Sequence, residues 1–92
     1  MLKVDFDRSA LRFLKRLPAK QSRQIALKVL ALCRDPEPQD SRELKGKLKD
    51  YRRVDVGEFR VIYFVDGVVL RIPLIGKRND GEIYRQMRRK VT

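Results

Sequence analysis

Between Tyr51 and Ile75, runs of β-branched and aromatic residues flank two tight-turn signals, a pattern that fits a pleated, half-buried sheet. The stretch predicts three antiparallel strands, Tyr51–Val56, Phe59–Val65 and Val68–Ile75. Gly57-Glu58 fits a type II′ hairpin turn and Asp66-Gly67 a type I′ turn. A simple turn at Gly57-Glu58 pairs Val56 with Phe59, Asp55 with Arg60, Val54 with Val61 and Arg53 with Ile62. A simple turn at Asp66-Gly67 pairs Val65 with Val68, Tyr63 with Leu70 and Ile62 with Arg71. The predicted core face is then Val54, Val56, Phe59, Val61, Tyr63, Val65, Val68, Leu70, Ile72 and Leu74. The opposite face carries Tyr51, Arg53, Asp55, Arg60, Ile62, Phe64, Val69 and Arg71, and brings three guanidinium groups together. Two readings fit it: a solvated outer face, or a phosphate-binding face, because guanidinium binds phosphate oxygens bidentately. Pro73 lacks an N–H and predicts an edge or a bulge, which leaves side-chain directions beyond Ile72 open.

Leu2, Val4 and Phe6 alternate with Lys3 and Asp5 as a short strand. Asp7 or Ser9 can cap a helix to Leu17 whose apolar side is Ala10, Leu11, Phe13, Leu14 and Leu17. Pro18 stops it and opens a second helix, Ala19 to Arg34. There Ile25, Val29, Leu32 and Cys33 form the apolar stripe, widened by Ala26 and Leu30. The short link predicts an αα-hairpin. Residues 34–41 form a locally acidic loop, and Leu44 and Leu48 anchor a lysine-rich segment. Gly76 to Gly81 is a polar, basic loop. Glu82 to Lys90 is a short helix or an edge strand, with Ile83 and Met87 spaced for a helical turn. The order is that of one α+β domain over residues 1–92. An N-terminal strand and αα-hairpin pack on a small, mainly antiparallel, twisted sheet, followed by a short C-terminal helix or strand.

Charge narrows the partners. The 92 residues carry 23 Lys and Arg against 12 Asp and Glu, a net charge of +11. That balance favours polyanions, nucleic acid first, then an acidic protein, then an anionic membrane surface. The absence of histidine removes His-based acid–base catalysis and His-ligated metal sites. The lone Cys33 excludes an internal disulfide, fits a reducing cytoplasm, and lies on the core stripe of the second helix. No pair of acidic residues has metal-ligand spacing, and neither the P-loop nor the dinucleotide-binding glycine pattern is present. The start, MLKVDFDRS, breaks every apolar step with a charge and predicts no signal peptide. Val61–Val65 is too short to span a bilayer.

Three motifs in order carry a resemblance: LKG at 44–46, YRRVDVGEFRVIY at 51–63 and LIGKRNDGEIY at 74–84. Together they resemble the RelE/ParE toxin superfamily, most closely the RelE-type mRNA interferases of bacterial toxin–antitoxin pairs. The element order matches that fold across nearly the whole chain. The resemblance implies a ribosome-dependent endoribonuclease acting on mRNA in the A site, where mRNA and rRNA are its partners. It also implies neutralisation by an acidic antitoxin in a hetero-oligomer, with no cofactor and no membrane. Carried over position by position, the catalytic set is Arg53, Arg60, Arg78 and Tyr84. Asp55 stands where a second basic residue is usual.

RNA cleavage without metal needs a deprotonated 2′-hydroxyl, a stabilised phosphorane and a protonated leaving oxygen. Arg53, Arg60, Arg71 and Arg78 can grip phosphate and stabilise its charge. Lys45, Lys47, Lys49 and Lys77 are further candidate RNA contacts. Arginine transfers protons poorly, which leaves Tyr84, Lys77 and Asp55 as candidates for that work; Tyr84 is the expected base, and Arg78 the family-based guess for the acid. Asp55 is read first as a cross-strand ion-pair partner of Arg60, and alternatively as a carboxylate base. Two other functions stay open: a ParE-like toxin acting on DNA gyrase without nuclease chemistry, and a non-catalytic basic RNA-binding domain.

Overall fold

Two glycines fix the central hairpins. The computed structural model describes residues 1–79 and 81–92. In it, strand β3 (Arg52–Val56) turns through Gly57-Glu58 into β4 (Phe59–Asp66), with Gly57 at φ +57°. A positive φ at the first turn residue alone is the sign pattern of a II′ turn, which glycine adopts without steric cost. The observed register is the expected one: Val56 opposite Phe59, Asp55 opposite Arg60, Val54 opposite Val61 and Arg53 opposite Ile62.

The second hairpin differs. Strand β5 (Val69–Lys77) pairs Asp66 with Val69, Val65 with Leu70 and Phe64 with Arg71. The turn residues are therefore Gly67-Val68, not Asp66-Gly67. Gly67, at φ +61°, again takes the first position, where a left-handed residue is required. A second shift follows between Ile62 and Phe64, where Tyr63 faces both Ile72 and Pro73. Pro73 thus sits in a β-bulge, where its missing N–H is harmless, and its carbonyl accepts a hydrogen bond from Ser9 Oγ at 3.2 Å. The extra residue moves Leu74 to the opposite face and puts Ile75 in the main core. Val65 and Val68, expected in the core, lie at the hairpin tip and are 44% and 67% exposed.

Strand β1 (Lys3–Phe6) joins β5 in parallel, and β2 (Ser41–Glu43), which starts on the last residue of the expected 34–41 loop, adds an antiparallel edge to β3. The five strands run in the order β1-β5-β4-β3-β2. Helices α1 (Arg8–Arg16) and α2 (Ala19–Arg34) form the expected hairpin. Asp7 precedes α1, but its side chain makes no cap bond. Ile25, Val29, Leu32 and Cys33 are buried, whereas Ala26 and Leu30 face outward. Helix α3 (Glu82–Lys90) resolves the C-terminal alternative in favour of a helix. Of the loop expected from Gly76 to Gly81, residues 76 and 77 continue β5, and Asp80 lies outside the described residues.

Alternation gives the sheet two apolar faces. On one, Val54, Phe59, Val61, Tyr63, Leu70, Ile72 and Ile75 pack with α1 and α2. On the other, Ile62 and Leu74 pack with Ile83 and Met87 of α3 and with Leu44 and Leu48 beside the 3-10 turn Gly46–Leu48. The face expected to be half open is therefore a second small core. Ile62, placed there by the register, is fully buried. No helix among the described residues is long and apolar enough to cross a membrane.

Candidate active site

Position along the strands decides which charges meet. Arg53 and Asp55 on β3, and Arg60 on β4, project from the α3 face just beyond its apolar centre. Arg60 Nε donates to Asp55 Oδ1 at 2.7 Å, and Nη2 donates to Oδ2 at 3.1 Å. This is a bidentate guanidinium–carboxylate pair, and the Arg60 side chain is only 14% exposed. Arg53 Nη1 lies 3.8 Å from Asp55 Oδ2, and Arg78 Nη1 lies 3.6 Å from the same oxygen. The Arg78 backbone is pinned to the β3–β4 turn, its N–H donating to Glu58 O at 3.0 Å. Three guanidinium groups from separate parts of the chain thus surround one carboxylate.

Helix α3 brings in the phenol. Arg60 Nη1 donates to the Tyr84 hydroxyl at 2.5 Å, and the guanidinium carbon lies 5.6 Å from the ring centroid. The close approach of α3 depends on Gly76, which faces Arg60 across the β4–β5 ladder. A Cβ at Gly76 would lie 3.3 Å from Ile83 Cδ1. Of Arg60's five N–H groups, two are committed to Asp55 and one to Tyr84, which leaves two for a ligand.

The electrostatics follow from the contacts. The hydrogen bonds from Arg60 hold the Asp55 carboxyl below its ordinary range; partial burial opposes this, and the charges of Arg60, Arg53 and Arg78 reinforce it. With lowered proton affinity and both oxygens engaged, Asp55 is a poor base. Its geometry is that of a residue that orients Arg60. In turn, the bond to Asp55 raises the Arg60 pKa against the effect of burial, and Tyr84 adds to the rise. Burial pushes the Cys33 thiol up, consistent with its place in the main core.

The other expected contacts are dispersed. Arg71 binds Asp66 at 2.9 Å and Asp5 at 2.5 Å. It lies opposite Phe64, four positions along β4 from Arg60, about 13 Å at strand rise. The expected trio of Arg53, Arg60 and Arg71 is therefore replaced by Arg53, Arg60 and Arg78, because the hairpin register differs. Lys77 pairs with Phe59 and shares its face, away from the arginine cluster. Lys49 lines a separate cleft of about 240 Å³ with Glu37, Asp50 and Arg52. Lys47 sits on the exposed side of the 3-10 turn. Tyr51 meets Phe64 edge to face, centroids 5.1 Å apart, and packs against the second core.

Lys45 does adjoin the cluster. It lines a cleft of about 310 Å³ with Leu44, Leu48, Arg53, Tyr84 and Arg88. Sequence reasoning missed Arg88. Its signal was the four-residue spacing from Tyr84, which puts both on one face of a helix.

A sequence model of the ParE toxin of type II toxin–antitoxin systems, parDE, matches residues 4–80. The chain belongs to this toxin family. A comparison with curated proteins returns no significant match. Among solved structures, a mutant of the E. coli toxin RelE in the free state superposes with a TM-score of 0.82 at 22% identity, covering 99% of this chain and 98% of that one. The archaeal RelE–RelB complex from Pyrococcus horikoshii OT3 gives 0.73 at 26% identity over 85% and 96%. The YoeB–YefM complex from Staphylococcus aureus gives 0.71 at 21% over 87% and 99%. The fold is RelE-like and the family is that of type II toxins within the RelE/ParE superfamily.

Proposed function

We propose that this toxin cleaves mRNA on the ribosome. One observation carries the reading: Arg53, Arg60, Arg78 and Tyr84 meet within a single cluster, three of them around Asp55 and the fourth on Arg60. A phosphodiester held there accepts the two free N–H groups of Arg60 and the guanidinium groups of Arg53 and Arg78, which stabilise charge building on the phosphorane. Tyr84 in its phenolate form takes the proton of the 2′-hydroxyl. The hydrogen bond from Arg60 Nη1 fixes the position of that oxygen beside the phosphate site. The 2′-oxygen bonds to phosphorus and the bond to the 5′-oxygen breaks; the Arg78 guanidinium offsets the charge on that oxygen, which takes its proton from solvent water. The products are a 2′,3′-cyclic phosphate and a 5′-hydroxyl. Arg71 and the lysines at 45, 47, 49 and 77 contribute to RNA attraction through the overall charge.

A second reading has its own support. The match to the ParE family, together with Asp55 offsetting one of three positive charges, favours a toxin that binds DNA gyrase without cutting RNA. Proposed neutralisation by an acidic antitoxin is common to both readings; the archaeal RelE and staphylococcal YoeB relatives were crystallised with RelB and YefM. Mapping of 5′-hydroxyl ends on cellular transcripts after brief induction separates them. The nuclease reading expects new ends within A-site codons of translated messages. Intact transcripts accompanied by DNA damage would overturn it in favour of gyrase.

A further inference from the structure

The arginine cluster accounts for one phosphate, yet the cleft beside it carries positive charge that the proposed reaction does not use. Its floor is apolar, made by Leu44 and Leu48, which are 9% and 3% exposed. Its walls are Tyr84 and Arg53, both shared with the cluster. Its rim carries Lys45 and Arg88. Among the described residues neither cation has an ion-pair partner, whereas most arginines of the sheet do. The one carboxylate at the cleft, Glu43, has Oε1 3.5 Å from Arg52 Nη1, so its charge is offset from outside. An apolar floor, an aromatic wall and unpaired cations at the rim complement a nucleotide: the base meets Leu44, Leu48 and Tyr84, and the phosphate meets Arg88 and Lys45.

Spacing fits this occupant. Tyr84 and Arg88 are one helical turn apart on α3, about 6 Å along the axis. That is close to one nucleotide step of an unstacked strand. A strand whose reacting phosphate lies at Arg60 and Tyr84 therefore presents its neighbouring phosphate to Arg88.

We infer that this cleft is a second RNA subsite, in which Arg88, assisted by Lys45, holds the phosphate adjacent to the one cleaved. The inference rests on the RNA-cleaving reading. Arg88 acts as a positioning residue for single-stranded RNA, remote from the bonds that change. It keeps the chain extended across Tyr84.

The test is binding and cleavage by the full chain. The probe is a short single-stranded RNA with 2′-O-methyl groups, which binds without being cut. Arg88→Ala is compared with Arg12→Ala, an exposed position on α1 that removes the same charge far from the cleft. Arg88→Ala is expected to weaken binding about tenfold more than Arg12→Ala. It should also reduce the slope of log affinity against log salt by about 0.7, the single-strand value for one phosphate contact. Arg88→Lys should recover most of the affinity. On programmed ribosomes Arg88→Ala should raise KM and leave kcat unchanged. If the parent protein binds the probe and Arg88→Ala matches Arg12→Ala, the subsite is overturned while the nuclease reading stands. If the parent protein neither binds the probe nor cuts ribosomal mRNA, both fall.

Discussion

Removing Asp55 separates its two effects, because they have opposite signs. The carboxylate accepts two charge-assisted hydrogen bonds from an arginine that is 14% exposed, and it faces two further guanidinium groups. Asp55→Ala strands that arginine and leaves three like charges unscreened. For a half-buried pair the cost is about 2 kcal/mol. In a domain of this size that lowers Tm by about 10 °C. The same change removes a negative charge from the proposed phosphate site. A phosphate on the free N–H groups of Arg60 would lie about 6 Å from the carboxylate. Water-like screening makes that repulsion about 0.7 kcal/mol, a factor of about three in affinity, and more at lower dielectric. RNA binding by Asp55→Ala should therefore tighten at least threefold while stability falls. The pH dependence has a defined sign. The folded-state pKa of Asp55 is lowered, so its stabilisation is complete above its unfolded pKa of about 3.9. It is lost as pH falls through the folded value. The Tm gap between parent and variant should be full at pH 7 and should shrink as the pH falls below about 3.9. Thermal unfolding across that range, with RNA anisotropy at neutral pH, checks both. A variant that is less stable and also binds RNA more weakly, or a gap that persists in acid, would refute the reasoning.

Other perturbations follow from the same contacts. Tyr84→Phe removes the proposed base and should slow cleavage of ribosome-bound mRNA by about 100-fold or more, with Tm changed by only a few degrees, read by single-turnover cleavage and melting. Gly76→Ala places a Cβ 3.3 Å from Ile83 Cδ1; displacing α3 by tenths of an ångström should reduce cleavage severalfold, with a Tm shift under about 5 °C. Ile62→Ala tests the second core and should cost about 3 kcal/mol in urea unfolding, as expected for a fully buried isoleucine. Gly67→Ala forces a Cβ into φ +61° and should cost about 1 kcal/mol in the same assay, although the space around it is open.

Local chemistry was legible and long-range pairing less so. The bounds of α2 follow from Pro18 and the i, i+4 stripe, and the β3–β4 register follows from a glycine in the first turn position. The second hairpin misled because Asp-Gly is the stronger short-range signal, yet the chain uses Gly67 first and Val68 second. That choice shifted the pairing by two residues and drew Arg71 out of the cluster. Pro73 announced a bulge, but its consequence, the exchange of Leu74 and Ile75 between faces, depends on a partner strand. The parallel pairing of β1 with β5 joins residues 66 positions apart and has no local signature. Strand β2 is three polar residues whose only pairing is to β3. The meeting of Arg53, Arg60, Arg78 and Tyr84 was expected from the resemblance. Their convergence on Asp55 required only the Asp55–Arg60 register and the pinning of Arg78 to the first turn.

The most direct measurement is a double-mutant cycle on single-turnover cleavage of ribosome-bound mRNA by Arg60→Ala, Tyr84→Phe and the combination. Groups joined by a hydrogen bond and acting on one linkage should be strongly non-additive. The double variant should therefore be about as slow as the worse single one. Losses that multiply, or a parent protein that leaves ribosomal mRNA uncut, would contradict the account.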